Sequence, residues 1–249
     1  MREFLLFRLY GPLTSWGEVA VGEVRPSQAL PTKSALMGLL AGSLGLRRDQ
    51  EAELGALHDS YGLALLVESR GLPLRDFQTV EVPRARRGAF FATRRDELLG
   101  LDHKDNPIVS FRDYRVEALY AACLWEADPD PPHPLSHLAR ALEKPRFTPY
   151  LGRKSCPLAL PFKPHLVRAQ TIREAIEAAR FPDSDLINRL RSNVSAEIFW
   201  EKTPDGPPAG LEPTQRFTRR DALLSRRRWQ FRTRQENQAA WPAREAKEA

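Results

Sequence analysis

Five arginines and no carboxylate lie between Arg84 and Arg95, and the pair Phe90-Phe91 separates the two basic clusters. Guanidinium groups bind phosphate bidentately and stack on flat rings, and a phenylalanine face accepts a nucleobase. A soluble chain limits its exposed apolar surface, so adjacent phenylalanines within an arginine-rich segment call for a reason. Arg84, Arg86, Arg87, Phe90, Phe91 and Arg94, followed by Arg112 and Tyr114, have the chemistry of an arm that grips single-stranded nucleic acid. The plainer reading is a solvated hairpin whose phenylalanines tuck into the core.

A second basic element is FTPYLGRKSCPLAL, Phe147 to Leu160. Tyr150, Arg153, Lys154 and Ser155 form either a phosphate contact with base stacking or a glycine turn with solvated charges. Gly152-Arg153-Lys154-Ser155 echoes a phosphate loop, but the upstream glycine of GxxxxGK[ST] is missing and Arg153 separates glycine from lysine, which argues against nucleotide hydrolysis. Further upstream, Arg25 and Lys33 are placed to meet an anion. Thr32 or Ser34 suits the N-cap of a helix. The first amides of that helix, beside Lys33, would favour phosphate; a plain buried helix with a capping threonine fits equally well.

Catalytic sets are poorer. A metal-free ribonuclease needs a general base for the 2′-hydroxyl, a proton donor for the leaving oxygen and a cation for the phosphorane. His103, Lys104 and Tyr114 have the right types, but the polar, turn-like DHKDNP around His103 leaves it solvated with nothing to orient it. His133 and His137 have the spacing of a metal pair. Pro132 and Pro134 spoil the first as a helical ligand, and no glutamate follows as HExxH requires. Both read as surface histidines, and His58 and His165 as ordinary surface or interface positions. Cys123 and Cys156 form no CxxC pair, so neither a zinc site nor a disulfide framework is expected, and a reducing cytoplasm fits. No metal or cofactor is expected.

The 249 residues suffice for a real core, and 42% hydrophobic content with mean hydropathy −0.47 fits a folded soluble chain. A net charge of +6 and a pI near 9.6 favour an anionic partner. Thirty-one arginines stand against seven lysines. The basic residues concentrate at 84–95 and again at 216–234, where eight arginines accompany Asp221 as the single acid. The opening MREFLLFRLYGPL is too short an apolar run for a signal peptide. Ser34 to Leu46 falls short of the roughly 18–20 residues that span a bilayer, so an intracellular, cytoplasmic protein with no membrane contact is expected.

The elements that must position these residues follow from periodicity. Glu3 to Tyr10 reads as a buried strand ending at Gly11-Pro12, and Trp16 as the anchor of the long loop after it. SALMGLLAGSLGL is a helix apolar on nearly every side, with Gly38 and Gly42 sharing a face that lets it lie close to a sheet. Asp49 to Ser60 is a second helix, Tyr61 to Glu68 and Asp76 to Val82 are strands, and Arg115 to Trp125 returns as another. Strand, helix, strand, strand opens a ferredoxin-like unit. An arm between two paired strands projects from the sheet. Helices are expected at Leu135 to Leu142 and Gln170 to Ala179, and a strand at Ala196 to Glu201. RRRWQFRTR from Arg226 reads as a strand with one apolar and one basic face, and the residues from Glu236 onward as a frayed end. The basic face either binds RNA or docks on an acidic partner.

With GPLTSWG, PTKSALMGLLAGSLGLRRD, FTPYLGRKSCPLAL and the tail RRRWQFRTR in order along nearly the whole chain, the sequence resembles the CasD family. These are the Cas-five-type subunits of the type I-E CRISPR surveillance complex, Cascade. The resemblance implies an α+β fold with a ferredoxin-like, RNA-recognition-like (RAMP) core over a single domain, 1–249, and an inserted, β-hairpin-like thumb at 83–114. It also implies a non-catalytic subunit that holds the 5′ handle of CRISPR RNA and caps the backbone in antiviral DNA surveillance. Implied partners are a CasC-type backbone subunit, a CasA-type large subunit and, through the assembly, target DNA. Two alternatives stand beside this: a metal-independent endoribonuclease that cuts CRISPR repeat RNA, as some Cas-five-type proteins of another subtype do, and a purely protein-binding scaffold.

Overall fold

The computed structural model describes residues 1–84, 88–102, 107–179, 181, 185–192, 196–203 and 205–242. The first apolar run becomes β1 (Arg2–Tyr10), and the glycine- and proline-rich loop after it holds the short pieces β2 (Leu13–Thr14), β3 (Trp16–Gly17), β4 (Val24–Arg25) and β5 (Ser27–Gln28). Helices α1 (Lys33–Leu44) and α2 (Glu51–Asp59) lead into β6 (Tyr61–Ser69). The arm comprises β7 (Leu72–Val80), α3 (Arg94–Leu99) and β8 (Ile108–Val116), and β9 (Leu119–Glu126) returns from it. Then come α4 (Leu135–Glu143), β10 (His165–Ala169), α5 (Ile172–Ala178), α6 (Asp185–Ser192), β11 (Glu197–Glu201), β12 (Gln215–Ser225) and β13 (Gln230–Ala240).

Among the described residues, seven strands form one sheet in the order β10-β1-β9-β6-β11-β13-β12, antiparallel throughout. The first four positions hold, in chain order, the fourth, first, third and second strands of a β-α-β-β-α-β unit. Over the central strands β1, β9, β6 and β11 both faces are covered. Leu5, Phe7, Leu9, Leu63, Leu65, Tyr120 and Leu124 pack against α1, α2 and α4. Phe4, Leu6, Ala64, Leu66, Cys123 and Trp125 pack against α5 and Ile198. A strand buried on two sides has no reason to alternate, which is why β1, β6 and β9 read as continuous apolar runs.

Thr32 caps α1 by accepting the Ala35 N–H, and Gly45 closes it at φ 85°. The glycines of α1 do not serve close packing as expected. A Cβ built on Gly38 or Gly42 meets nothing within 4 Å, so that face looks onto open space. Trp16 does anchor the loop: it is buried, with its ring edge-on to Tyr120 at 6.0 Å.

The arm is rooted earlier than its basic residues suggest. β7 starts at Leu72 and pairs along its whole length with β8, not with the seven-stranded sheet. The expected strand Arg115 to Trp125 is two strands, broken at Glu117, whose φ is 57°. The basic tail also differs from expectation. Arg226 to Trp229 is the turn between β12 and β13, with Trp229 at φ 52°. The residues after Glu236 are not frayed: β13 continues to Ala240, paired with β11, and Glu236, Asn237 and Ala239 are buried. No helix among the described residues is long and apolar enough to cross a membrane.

Candidate nucleic-acid interface

With both faces of the central strands covered, binding chemistry falls to the outer strands, edges and insertions, and one basic cluster gathers at the root of the arm. β4 runs parallel to β8, which sets Arg25 beside Arg112, and Arg112 stands opposite Asp76 of β7. Arg25 donates to the Gly22 carbonyl at 2.6 Å, and the Asp76 carboxylate accepts from Gln78 at 2.6 Å. The turn at 150–157 is locked by Leu151 N–H to Cys156 O at 2.8 Å and Cys156 N–H to Arg153 O at 2.8 Å. Gly152 makes the approach possible: its φ is 83°, and a Cβ there would fall 2.0 Å from the Ser15 carbonyl oxygen. Ser15 N–H donates to Leu151 O at 3.0 Å and Ser15 Oγ to Asp113 O at 2.9 Å, so one serine stitches the turn to β8.

The outcome is that the Arg153 guanidinium lies 4.7 Å over the Tyr114 ring. Tyr114 itself is buried, so it serves as the floor beneath a cation rather than as an exposed stacking surface. Nη1 of Arg153 is buried without a hydrogen-bond partner among the described residues. Lys154 and Ser155 project from the same turn into solvent, and Tyr150 is half-exposed. Nearby, Asp113 accepts both Nε (2.7 Å) and Nη2 (3.0 Å) of Arg75, and that pairing holds its carboxyl below the ordinary carboxylate range. The Arg75–Asp113 and Ser15 contacts carry no local sequence signature.

On the arm, the two phenylalanines part company. Phe90 is 86% exposed, whereas Phe91 is half-buried with its ring over Gly100 at the end of α3. Arg84 is exposed. Arg94 is engaged at home, donating to Glu97 and to the Glu81 carbonyl, each at 2.6 Å. Arg86 and Arg87, and the ribonuclease candidates His103 and Lys104, lie outside the described residues.

Lys33 is turned inward. Its Nζ lies 2.7 Å from Glu201 in a buried pair, and burial lowers its pKa against the opposing pull of Glu201. The α1 amide expected to favour a phosphate already has an anion: Lys33 N–H donates to Asp221 Oδ2 at 2.8 Å. Ser34 exchanges a hydroxyl hydrogen bond with Thr32 at 3.1 Å. His58 is not a surface residue but a core one, 1% exposed, and its Nε2 accepts the Leu223 N–H at 3.1 Å. His133 and His137 lie with ring centroids 4.9 Å apart, and among the described residues no three metal-binding side chains cluster.

Residues 4–235 match the family described as CRISPR-associated protein (Cas_Cas5). The chain belongs to that family. It is 37% identical over 169 residues to the CRISPR system Cascade subunit CasD of Escherichia coli (strain K12), spanning 65% of this chain and 70% of that one. The likeness to CasD subunits read from the ordered motifs is borne out. Among solved structures, a chain of a CRISPR RNA-guided surveillance complex superposes with TM-score 0.62 at 23% identity, covering 95% of this chain and 89% of the other. A structure titled Crystal structure of Cas protein superposes with TM-score 0.57 at 21% identity, covering 96% and 95%. The mixed helix-and-sheet fold, with its antiparallel sheets, is therefore shared with those proteins.

Proposed function

We propose that the chain is a non-catalytic subunit of a Cascade-type complex that holds the 5′ handle of a CRISPR RNA and caps the protein backbone in antiviral DNA surveillance. In this reading β10-β1-β9-β6 with α1 and α4 is a ferredoxin-like, RNA-recognition-like core, and 83–114 is the business end of an inserted thumb. The observation that carries it is the Arg153 guanidinium stacked on Tyr114 at 4.7 Å, where the arm meets the core. Arg25, Arg112, Lys154 and Ser155 surround that point, and Tyr150 borders it. An aromatic-backed guanidinium beside the exposed Lys154 suits a phosphate-bearing strand. Phe90, with Arg84, extends the surface along the arm, and Phe90 offers a face for one base.

Lys33 plays a structural part in this reading, because its ammonium is committed to Glu201. The covered central strands leave the arm root, rather than the middle of the sheet, to meet the strand. Partner subunits of the CasC and CasA types, and target DNA reached through the assembly, complete the proposal. Leu72, Leu74, Phe77 and Ile108 leave the arm ribbon with exposed apolar surface suited to a neighbouring subunit.

A shift assay with handle RNA tests this. A binder making roughly six to ten phosphate contacts loses about 10³–10⁵ in affinity between about 50 and 200 mM salt. Arg153→Ala with Lys154→Ala weakens retention further. Salt-sensitive assembly with acidic subunits, unaffected by RNA and by that double variant, would instead mark a protein-only scaffold.

A further inference from the structure

At the turn between β12 and β13, Trp229 is 57% exposed and carries two arginines. The Arg226 guanidinium lies 4.1 Å from its ring centroid and that of Arg48, from just beyond α1, at 5.5 Å. Arg227 and Arg228 stand exposed in the same turn. Three other arginines of the hairpin are matched by carboxylates: Arg232 pairs with Asp59 at 2.5 Å, and Arg219 and Arg234 pair with Glu236. Among the described residues no carboxylate pairs with Arg48, Arg226, Arg227 or Arg228. Two guanidinium groups gathered on one ring repel each other unless an anion joins them. Burial, and then the charge of Arg48, lower the pKa of Arg226. The turn is also held to its shape, since Trp229 adopts φ 52°.

We propose that the Arg48–Trp229–Arg226 cluster is a second binding surface for single-stranded nucleic acid, separate from the arm root. Phosphates bridge Arg48 and Arg226, Arg227 and Arg228 follow the backbone, and the indole supplies the stacking face. Tyr150, 41% exposed, begins the turn that presents Arg153. This second surface extends the RNA reading above but stands on different residues. A nucleotide supplies both partners in one unit, a phosphate for the guanidinium pair and a base for the indole face.

The test uses tryptophan emission. Of the five tryptophans, Trp16, Trp125 and Trp200 are buried and Trp241 is half-buried, so Trp229 reports surface stacking. The full-length chain is titrated with oligouridylate or oligothymidylate of about ten nucleotides. Binding quenches emission, the quench disappears in Trp229→Phe, and Trp229→Ala, read by gel shift with the same oligomers, weakens affinity by roughly 5- to 150-fold. Arg48→Ala with Arg226→Ala flattens the salt dependence by about 0.7 in slope for each phosphate no longer neutralised. Quenching by RNA alone or by both oligomers identifies the strand, and either result supports the surface. Arg153→Ala with Lys154→Ala weakens retention of handle RNA in the shift assay but still shows the Trp229 quench at saturating oligomer, which separates failure of the handle reading from failure of this one. Quenching by oligoglutamate and by neither oligonucleotide, or identical titrations of Trp229→Phe and the unaltered chain, would overturn it.

Discussion

Asp221 accepts both Nε and Nη2 of Arg234, at 2.6 and 2.9 Å, and also the main-chain N–H of Lys33 at 2.8 Å. One buried carboxylate thus fastens the C-terminal hairpin to the start of the first helix. Burial raises its pKa, but the hydrogen bonds and charge of Arg234 more than offset this and hold it below the usual value. Asp221→Ala leaves a buried guanidinium and an unpaired amide, and should cost about 3–5 kcal/mol. Urea unfolding measures it. A loss below about 1 kcal/mol would mean that the carboxylate is replaced by solvent. The pH dependence follows from the sign. With the folded pKa depressed, this stability is present above the unfolded value near about 3.9 and lost as pH falls through the folded one.

His58 gives the opposite end of the acid limb. Burial, chiefly, lowers its pKa from 6.5, so the unfolded chain takes up a proton that the folded chain refuses. Stability therefore declines as pH drops below about 6.5 and levels off under the folded pKa. Urea midpoints between about pH 7.5 and 5.5 should fall for the native chain and flatten in His58→Gln. An unchanged slope in that variant would assign the acid sensitivity elsewhere.

Gly152→Ala tests how the basic turn is placed. The added methyl meets the Ser15 carbonyl at 2.0 Å in a left-handed backbone, so the turn must lift away from β8 and carry Arg153 off Tyr114. The strain is worth about 1–3 kcal/mol. Melting should shift modestly while handle RNA retention falls at least several-fold. Full retention would show that Arg153 needs no such positioning.

Phe90 and Phe91 should separate by assay. Phe90→Ala removes an exposed ring and weakens RNA by roughly 5-fold or more with stability unchanged, by the usual worth of one stacked base, about 1–3 kcal/mol. Phe91→Ala removes the ring over Gly100 and loosens α3, read as faster hydrogen exchange in 94–99. Equal effects of the two on RNA would make the pair a single platform.

Repeat RNA incubated with the purified chain in EDTA should remain intact. Specific cleavage that vanishes in His103→Ala would replace the binding reading with a ribonuclease.

What the sequence made legible follows from what each segment must do alone. β1, β6 and β9 announced themselves because strands covered on both faces are apolar throughout. Trp16 could be placed as an anchor because a lone indole in a glycine- and proline-rich loop has nowhere else to go. Arg226 to Trp229 was misread because its turn holds no glycine, proline or asparagine, and alternating arginine and aromatic residues mimic a strand. The bonds that commit Lys33 reach across 168 residues to Glu201 and 188 to Asp221, and no local pattern encodes such pairs. The guanidinium floor at Tyr114 has no local signature for the same reason: it is made by a turn and a strand that meet only in the fold.

The ribbon of β7 and β8 exchanges no ladder hydrogen bond with the seven-stranded sheet. It can therefore be cut back in matched steps, two residues from each strand, without unpicking the core. Every step preserves which side chains look up or down and retracts the tip by about 7 Å. The appendage behaves as a graduated ruler, and trimming it would read out in ångströms how far from the core a bound strand or a neighbouring subunit has to be reached.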